Sequence, residues 1–225
     1  MPFAYLLMFG VMILGVLVQW NLKSKFKKYS KVRLDSGLTG REVAERMLRE
    51  NGITDVQVIS TNGQLTDHYN PVNKTINLSE PVYHSNSVMA AAVAAHETGH
   101  AIQHAVGYAP LKMRSALVPV VQFSSTILNI VLIAGILLLQ VFPQLLLAGI
   151  ILFAVTTLFS LITLPVEVNA SQRALVWLQR SRVTSYEQQP MASSALRSAA
   201  YTYFAAAIGS IATLLYYLAI YNSRR

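Results

Sequence analysis

The chain has 225 residues, of which 53% are apolar and 12% charged, with a mean hydropathy of +0.43; a soluble domain carries about twice that share of charge, so composition points to a membrane protein. It contains no cysteine, which excludes disulfides and thiolate metal sites and leaves His, Asp and Glu to build any transition-metal centre. The net charge of +8 flanks apolar runs, as membrane orientation requires, and does not mark a nucleic-acid surface.

The first apolar run, Pro2 to Trp20, is about as long as a helix needs to cross a hydrocarbon core, so residues 1–20 read as a transmembrane anchor. No basic residue precedes it, whereas "KSKFKKYSKVR" follows it. That is the reverse of a cleavable signal, and it places the N-terminus outside and the next segment in the cytoplasm. The basic run Lys23–Arg33 forms a collar suited to anionic lipid.

Residues 21–117 read as a cytoplasmic α+β segment. "TGRE" at Thr39–Glu42 is a capping box opening a helix that runs through Glu50, with Gly52 placed to end it. "ITDVQVIS", "QLTDHY" and "KTINLS" predict three short strands, joined by "TNG" and "NPVN" into an antiparallel meander. "SNSVMAAAVAAHETGHAIQHAVG" predicts a helix capped by Ser85 or Ser87 and stopped by Gly107. Residues 118–164 then form a transmembrane helical hairpin, broken at "QVFPQ", where Pro143 suits a first helical turn. Residues 165–200 return as a cytoplasmic helix, and residues 201–221 make a fourth span. All ten acidic residues and 16 of the 18 Lys/Arg fall in Asn21–Leu117 or Pro165–Ala200; the exceptions are Arg224 and Arg225, against the positive-inside trend.

The chemistry concentrates in "HETGH". His96 and His100, at i and i+4, lie above one another on one helical face, so both imidazoles can reach one zinc ion. Glu97 lies beside them, placed to act on an attacking water. His104 extends the same face but sits roughly 12 Å from His96 along the axis, too far to share a metal with bonds of about 2 Å. The third ligand must come from elsewhere. The metzincin continuation requires Gly and His where Gln103 and Val106 stand. The thermolysin-type class uses a glutamate from a later helix. Only Glu167 and Glu187 follow the motif. Two membrane crossings between His100 and Glu167 return the chain to its starting side, which favours Glu167; Glu187 lies in the loop-like "TSYEQQP".

The stretches "LTDHYNP", "INLSEPVYHSNSVMAAAVAAHETGHAIQHA", "LPVEVNASQRAL" and "AAYTYFAAA" resemble the YugP-type neutral zinc metallopeptidases of bacteria, over nearly the whole length. The resemblance implies a membrane α-helical protein with about four transmembrane helices and a small α+β, gluzincin-like metalloprotease domain carrying the HExxH helix. It implies one Zn2+ per chain and a third ligand in a glutamate-x-x-alanine helix, which falls on Glu167 and Ala170. It also leads us to expect Asp where Asn70 and Asn169 stand.

The expected activity is zinc-dependent peptide-bond hydrolysis: His96, His100 and Glu167 hold the metal and Glu97 is the general base. Arg173, Tyr186 and His68 are candidates for stabilising the oxyanion, and one strand of the sheet is expected to offer an open edge to an extended peptide. The expected partners are a peptide or membrane-protein substrate and the lipid bilayer, with no nucleic acid and homo-oligomerisation left open. The expected location is a bacterial cell membrane, multi-pass, with the site on the cytoplasmic side. One rival is a zinc-binding membrane protein without catalysis, which has no need of Glu97. The other is a small transporter, which is disfavoured because the spans after Val118 carry no charged residue.

Overall fold

The computed structural model describes residues 2–223; Arg224 and Arg225, the exceptions to the charge pattern, lie outside the described residues. In chain order the elements are α1 (Pro2–Tyr29), α2 (Gly40–Glu50), β1 (Gln57–Thr61), β2 (His68–Asn70), β3 (Thr75–Ser79), α3 (Glu80–Tyr83), α4 (Val88–Ala105), α5 (Ala109–Leu137), α6 (Pro143–Arg180) and α7 (Gln189–Asn222).

The helix signals act as read. Thr39 caps α2 by accepting from the Glu42 amide while Glu42 accepts from the Thr39 amide, satisfying two otherwise orphaned donors. Ser87 caps α4, accepting from the Ala90 amide at 3.2 Å. Gly52 and Gly107 follow α2 and α4 at φ +69° and +67°, the left-handed conformation that closes a helix without a Cβ clash. Pro143 sits in the first turn of α6.

The sheet corrects the sequence reading. Its order is β1-β3-β2: β1 runs parallel to β3, with Gln57 opposite Thr75, and β2 runs antiparallel to β3, with His68 opposite Asn77. It is therefore not a meander. "NPVN" does close a hairpin, where the Asn70 Oδ1 accepts from the amides of Val72 and Asn73. "TNG" turns the chain without pairing β1 to β2. The reason is burial: Ile76 and Leu78 of β3 are fully buried, so β3 takes the centre, and the short β2 and half-exposed β1 take the edges. Asp67 fixes this arrangement from the β1–β2 connection. Its carboxylate accepts from the Ser79 amide at 2.7 Å and the Ser79 hydroxyl at 3.0 Å, which anchors the start of β2 against the end of β3.

Among the described residues, four helices are long and apolar enough to cross a membrane: α1 from Leu6, α5, α6 and α7. Large side chains such as Phe123, Ile130 and Leu137 stand exposed on α5. α5 packs on α6, α6 on α7 and α7 on α1. The α5–α6 hairpin is tight at Gly135, where an added Cβ would lie 2.6 Å from the Leu146 Cα. The helix expected over 165–200 is instead the end of α6 and the start of α7, with a break between them, and Pro165 lies inside α6. α6 is continuous for 38 residues, about 57 Å, because an interior proline removes a single helical donor and the packed neighbours hold the rest in place. The far half of α6 and the start of α7 join α2, β3 and α4 in one core. That core includes Met47, Ile76, Leu78, Val88, Leu178 and Leu196.

Candidate metal centre

α4 lies in the middle of that core, packed against α6, α2 and α7. One contact decides how close it comes to α6. A Cβ on Gly99 would meet the Ala170 carbonyl oxygen at 2.7 Å and its Cα at 3.2 Å, so the two helices cross backbone to backbone at Gly99 and Ala170. Ala170 is fully buried. His96 and His100 flank Gly99 on one helix, and Glu167 lies one turn before Ala170 on the other, so the crossing delivers all three side chains to one point.

There, the Glu167 Oε2 lies 3.2 Å from the His96 Nε2 and 3.5 Å from the His100 Nε2, and the ligand atoms of all three residues fall within 4.8 Å of one another. Ligands about 2.0–2.2 Å from a tetrahedral zinc are themselves separated by about 3.4 Å, so the donor set and its spacing fit the ion. Glu97, His100 and Glu167 are buried and His96 is nearly so.

Surrounding side chains fix both imidazoles. With Nε2 turned to the metal position, each Nδ1 carries the proton and donates it: His96 to the Ser171 hydroxyl at 3.1 Å, and His100 to the Gln103 Oε1 at 3.0 Å. Gln103, fully buried, donates in turn to the Val166 carbonyl at 2.8 Å and the Asn169 Oδ1 at 3.0 Å. Arg173 donates to the same Asn169 oxygen at 2.8 Å. This accounts for Asn169, where Asp was expected: the task is acceptance by one oxygen, and an amide oxygen performs it. Asn70 likewise acts through its oxygen, in the hairpin turn.

Burial opposes charge on His100, but the hydrogen bond and charge of Glu167 outweigh it and raise the ring's proton affinity above the ordinary histidine range; a metal bound at Nε2 would take the place of that proton. Burial also pushes the Asp67 carboxyl up, despite its bonds from Ser79. Among the described residues Glu97 has no hydrogen-bond or ion-pair partner, so no structural task occupies its carboxylate.

A cleft of about 390 Å³ opens over these groups, within the range of ligand sites. It is lined by β2 and its flanks, with Asp67, His68 and Tyr69, by α5, with Leu111, Arg114 and Val118, and by Tyr203 of α7. β2 is an edge strand, paired only with β3. Tyr69 and His104 share a hydrogen bond of 2.7 Å, tying that edge to the last turn of α4. His104 thus lies away from the metal position, as its eight-residue offset required.

Of the three oxyanion candidates, His68 lines the cleft and is held by the Thr66 carbonyl at 2.8 Å. Arg173 faces a different groove beside Trp177 and Arg180. Tyr186 is 95% exposed and belongs to the loop before α7. Tyr203, Arg114, Ser171 and Gly99 were not singled out from sequence, although "AAYTYFAAA", "LPVEVNASQRAL" and "HETGH" contain three of them.

The helices, the cleft and the His-His-Glu cluster together describe a membrane protein with a zinc-type site. The chain belongs to the family described as "Putative neutral zinc metallopeptidase", which matches residues 4–222. It is 43% identical over 207 residues, 92% of this chain and 91% of the other, to the "Putative membrane protease YugP" of Bacillus subtilis (strain 168). No solved structure matches it.

Proposed function

We propose that the protein is a membrane-bound, gluzincin-type zinc endopeptidase. The observation that carries this reading is the convergence of His96, His100 and Glu167 on one point with the unpaired carboxylate of Glu97 beside it. One Zn2+ per chain would be held by those three residues; when bound, zinc supplies an acidified water at its open position and polarises the scissile carbonyl. Glu97 takes the proton from the attacking water and passes it to the leaving nitrogen. The edge of β2 orients an extended peptide by main-chain hydrogen bonds along the cleft. Tyr203 and His68, which line the cleft, are the candidates to donate to the developing oxyanion. Ser171, Gln103 and Asn169 hold the two imidazoles in the ligating tautomer.

The basic collar at Lys23–Arg33 and the charges of residues 165–200 support a site on the cytoplasmic face of the membrane, and the bacterial relative supports a bacterial one; cytosolic peptides and segments of membrane proteins near the lipid surface would then be within reach. The test is purified, zinc-loaded protein in detergent with a fluorogenic peptide library. Cleavage should stop with a chelator and return with zinc. Glu97→Gln should keep its zinc and lose activity by about a thousandfold or more. Cleavage that survives in Glu97→Gln contradicts the assignment.

A further inference from the structure

We propose that Arg114 determines specificity in this cleft by receiving a carboxylate of the substrate chain close to the scissile bond. The proposal rests on the peptidase reading and adds the chemical class of substrate that the site selects.

Arg114 stands near the start of α5 and lines the same cleft as His96, Glu97, His100 and Glu167. Its Nε is sealed from solvent and has no hydrogen-bond partner. Its guanidinium carbon lies 6.0 Å from the centre of the Phe159 ring, and Leu111 and Val118 supply apolar wall on its own helix. Among the described residues, the Arg114 Nε is the buried basic nitrogen without a hydrogen-bond partner, whereas Arg41 pairs with Glu45, Arg46 with Glu50 and Lys74 with Asp55, and Arg173 bonds Asn169. No described carboxylate lies within 4 Å of Arg114.

A guanidinium N–H withdrawn from water without a partner is costly, and Arg114, half-buried overall, carries one at Nε. The acids of the cleft cannot supply one. Glu167 is engaged with both imidazoles and Asp67 with Ser79, and Glu97 is needed beside the scissile bond. Tyr203 lines the same cleft as Glu97, Glu167 and Arg114 and serves the oxyanion in the peptidase reading, so Arg114 meets a flanking group. A neutral carbonyl would satisfy its donors but leave its charge uncompensated. A carboxylate does both, and the planar guanidinium binds it through two parallel hydrogen bonds.

The test uses zinc-loaded Glu97→Gln protein in nanodiscs of zwitterionic lipid, so that binding is read without turnover. Fluorescent peptides are compared in pairs that differ only by Glu against Gln at one flanking position, or by a free against an amidated C-terminus. One pair should show about tenfold or more tighter binding of the carboxylate. Adding Arg114→Gln should bring that ratio to about one, and Arg114→Lys should keep part of it, since a point charge remains without the fork. Unaltered zinc content and elution profile show that each variant is folded. A parent with no discriminating pair overturns the proposal. So does a preference that persists in Arg114→Gln, which would assign the arginine to a lipid phosphate or to packing. Neither result touches the peptidase reading, which the cleavage assay decides separately.

Discussion

The surroundings of α4 and the α5–α6 hairpin are both apolar and helical, yet they are built in opposite ways. Around the histidines the interior is made of small residues: Ala90, Ala91, Ala92, Ala94 and Ala95 are none more than 1% exposed, and Gly99 lies against the α6 backbone. In the hairpin, Leu146 and Ile150 form a thin core, while Phe123, Ile130, Ile133 and Leu137 face outward, each more than 60% exposed. Water excludes large apolar groups, whereas lipid accepts them. Size therefore sorts with solvent. Where helices must approach closely enough for side chains of different elements to share one ion, the chain uses glycine and alanine; where they face lipid, it uses bulk.

The polar groups divide in the same way. Near the metal position they form a continuous relay from His100 through Gln103 and Asn169 to Arg173. In the hairpin, Thr157 and Thr163 return their hydroxyls to carbonyls one turn back on the same helix, which satisfies them without any neighbour.

The largest expected effect comes from breaking the close crossing. Gly99→Val places carbon inside the Ala170 backbone, so α4 and α6 must separate and the three ligand atoms lose their common point; zinc retention after dialysis should fall at least a hundredfold. Gly15→Ala on α1, where an added Cβ meets nothing, should leave zinc content and thermal stability unchanged. The hairpin offers the next contrast. Leu146→Ala should destabilise by about 2–5 kcal/mol in a reversible unfolding assay, whereas Phe123→Ala, at 67% exposure, should cost less than about 0.5 kcal/mol. Ser171→Ala removes the acceptor of the His96 Nδ1 and should weaken zinc binding about 10–100-fold in a competition titration with a fluorescent chelator. The smallest effect belongs to Asn169→Asp. It keeps the accepting oxygen for Gln103 and Arg173, so zinc affinity should move by less than about threefold.

The parts of this arrangement that rest on local spacing were legible in the sequence. His96 and His100 face one way because a helix repeats every 3.6 residues, and the capping residues Thr39 and Ser87 act within their own turns. The placement of Glu167 beside His96 and His100 was legible through topology, since an even number of crossings would return the chain to its starting side. The sheet was misread because turn chemistry at Thr61–Gly63 shows where the chain bends and not which strand it meets next; the burial of Ile76 and Leu78 decides that. Ser171, Tyr203 and Arg114 were missed because their roles depend on which faces of α5, α6 and α7 turn inward, and in a membrane both faces of such helices are apolar. Gly99 sits inside the motif, but its role appears only when Ala170 is placed beside it.

The central claim is that two imidazoles of α4 and one carboxylate of α6 share a single zinc ion. Zinc K-edge X-ray absorption spectroscopy on the purified protein and on Glu167→Ala tests it most directly. The parent should hold one zinc per chain with two imidazole nitrogens and two oxygens at about 2.0–2.2 Å, and Glu167→Ala should lose the metal on dialysis. A third imidazole in the parent's first shell, or an unchanged spectrum and zinc content in Glu167→Ala, would contradict the account.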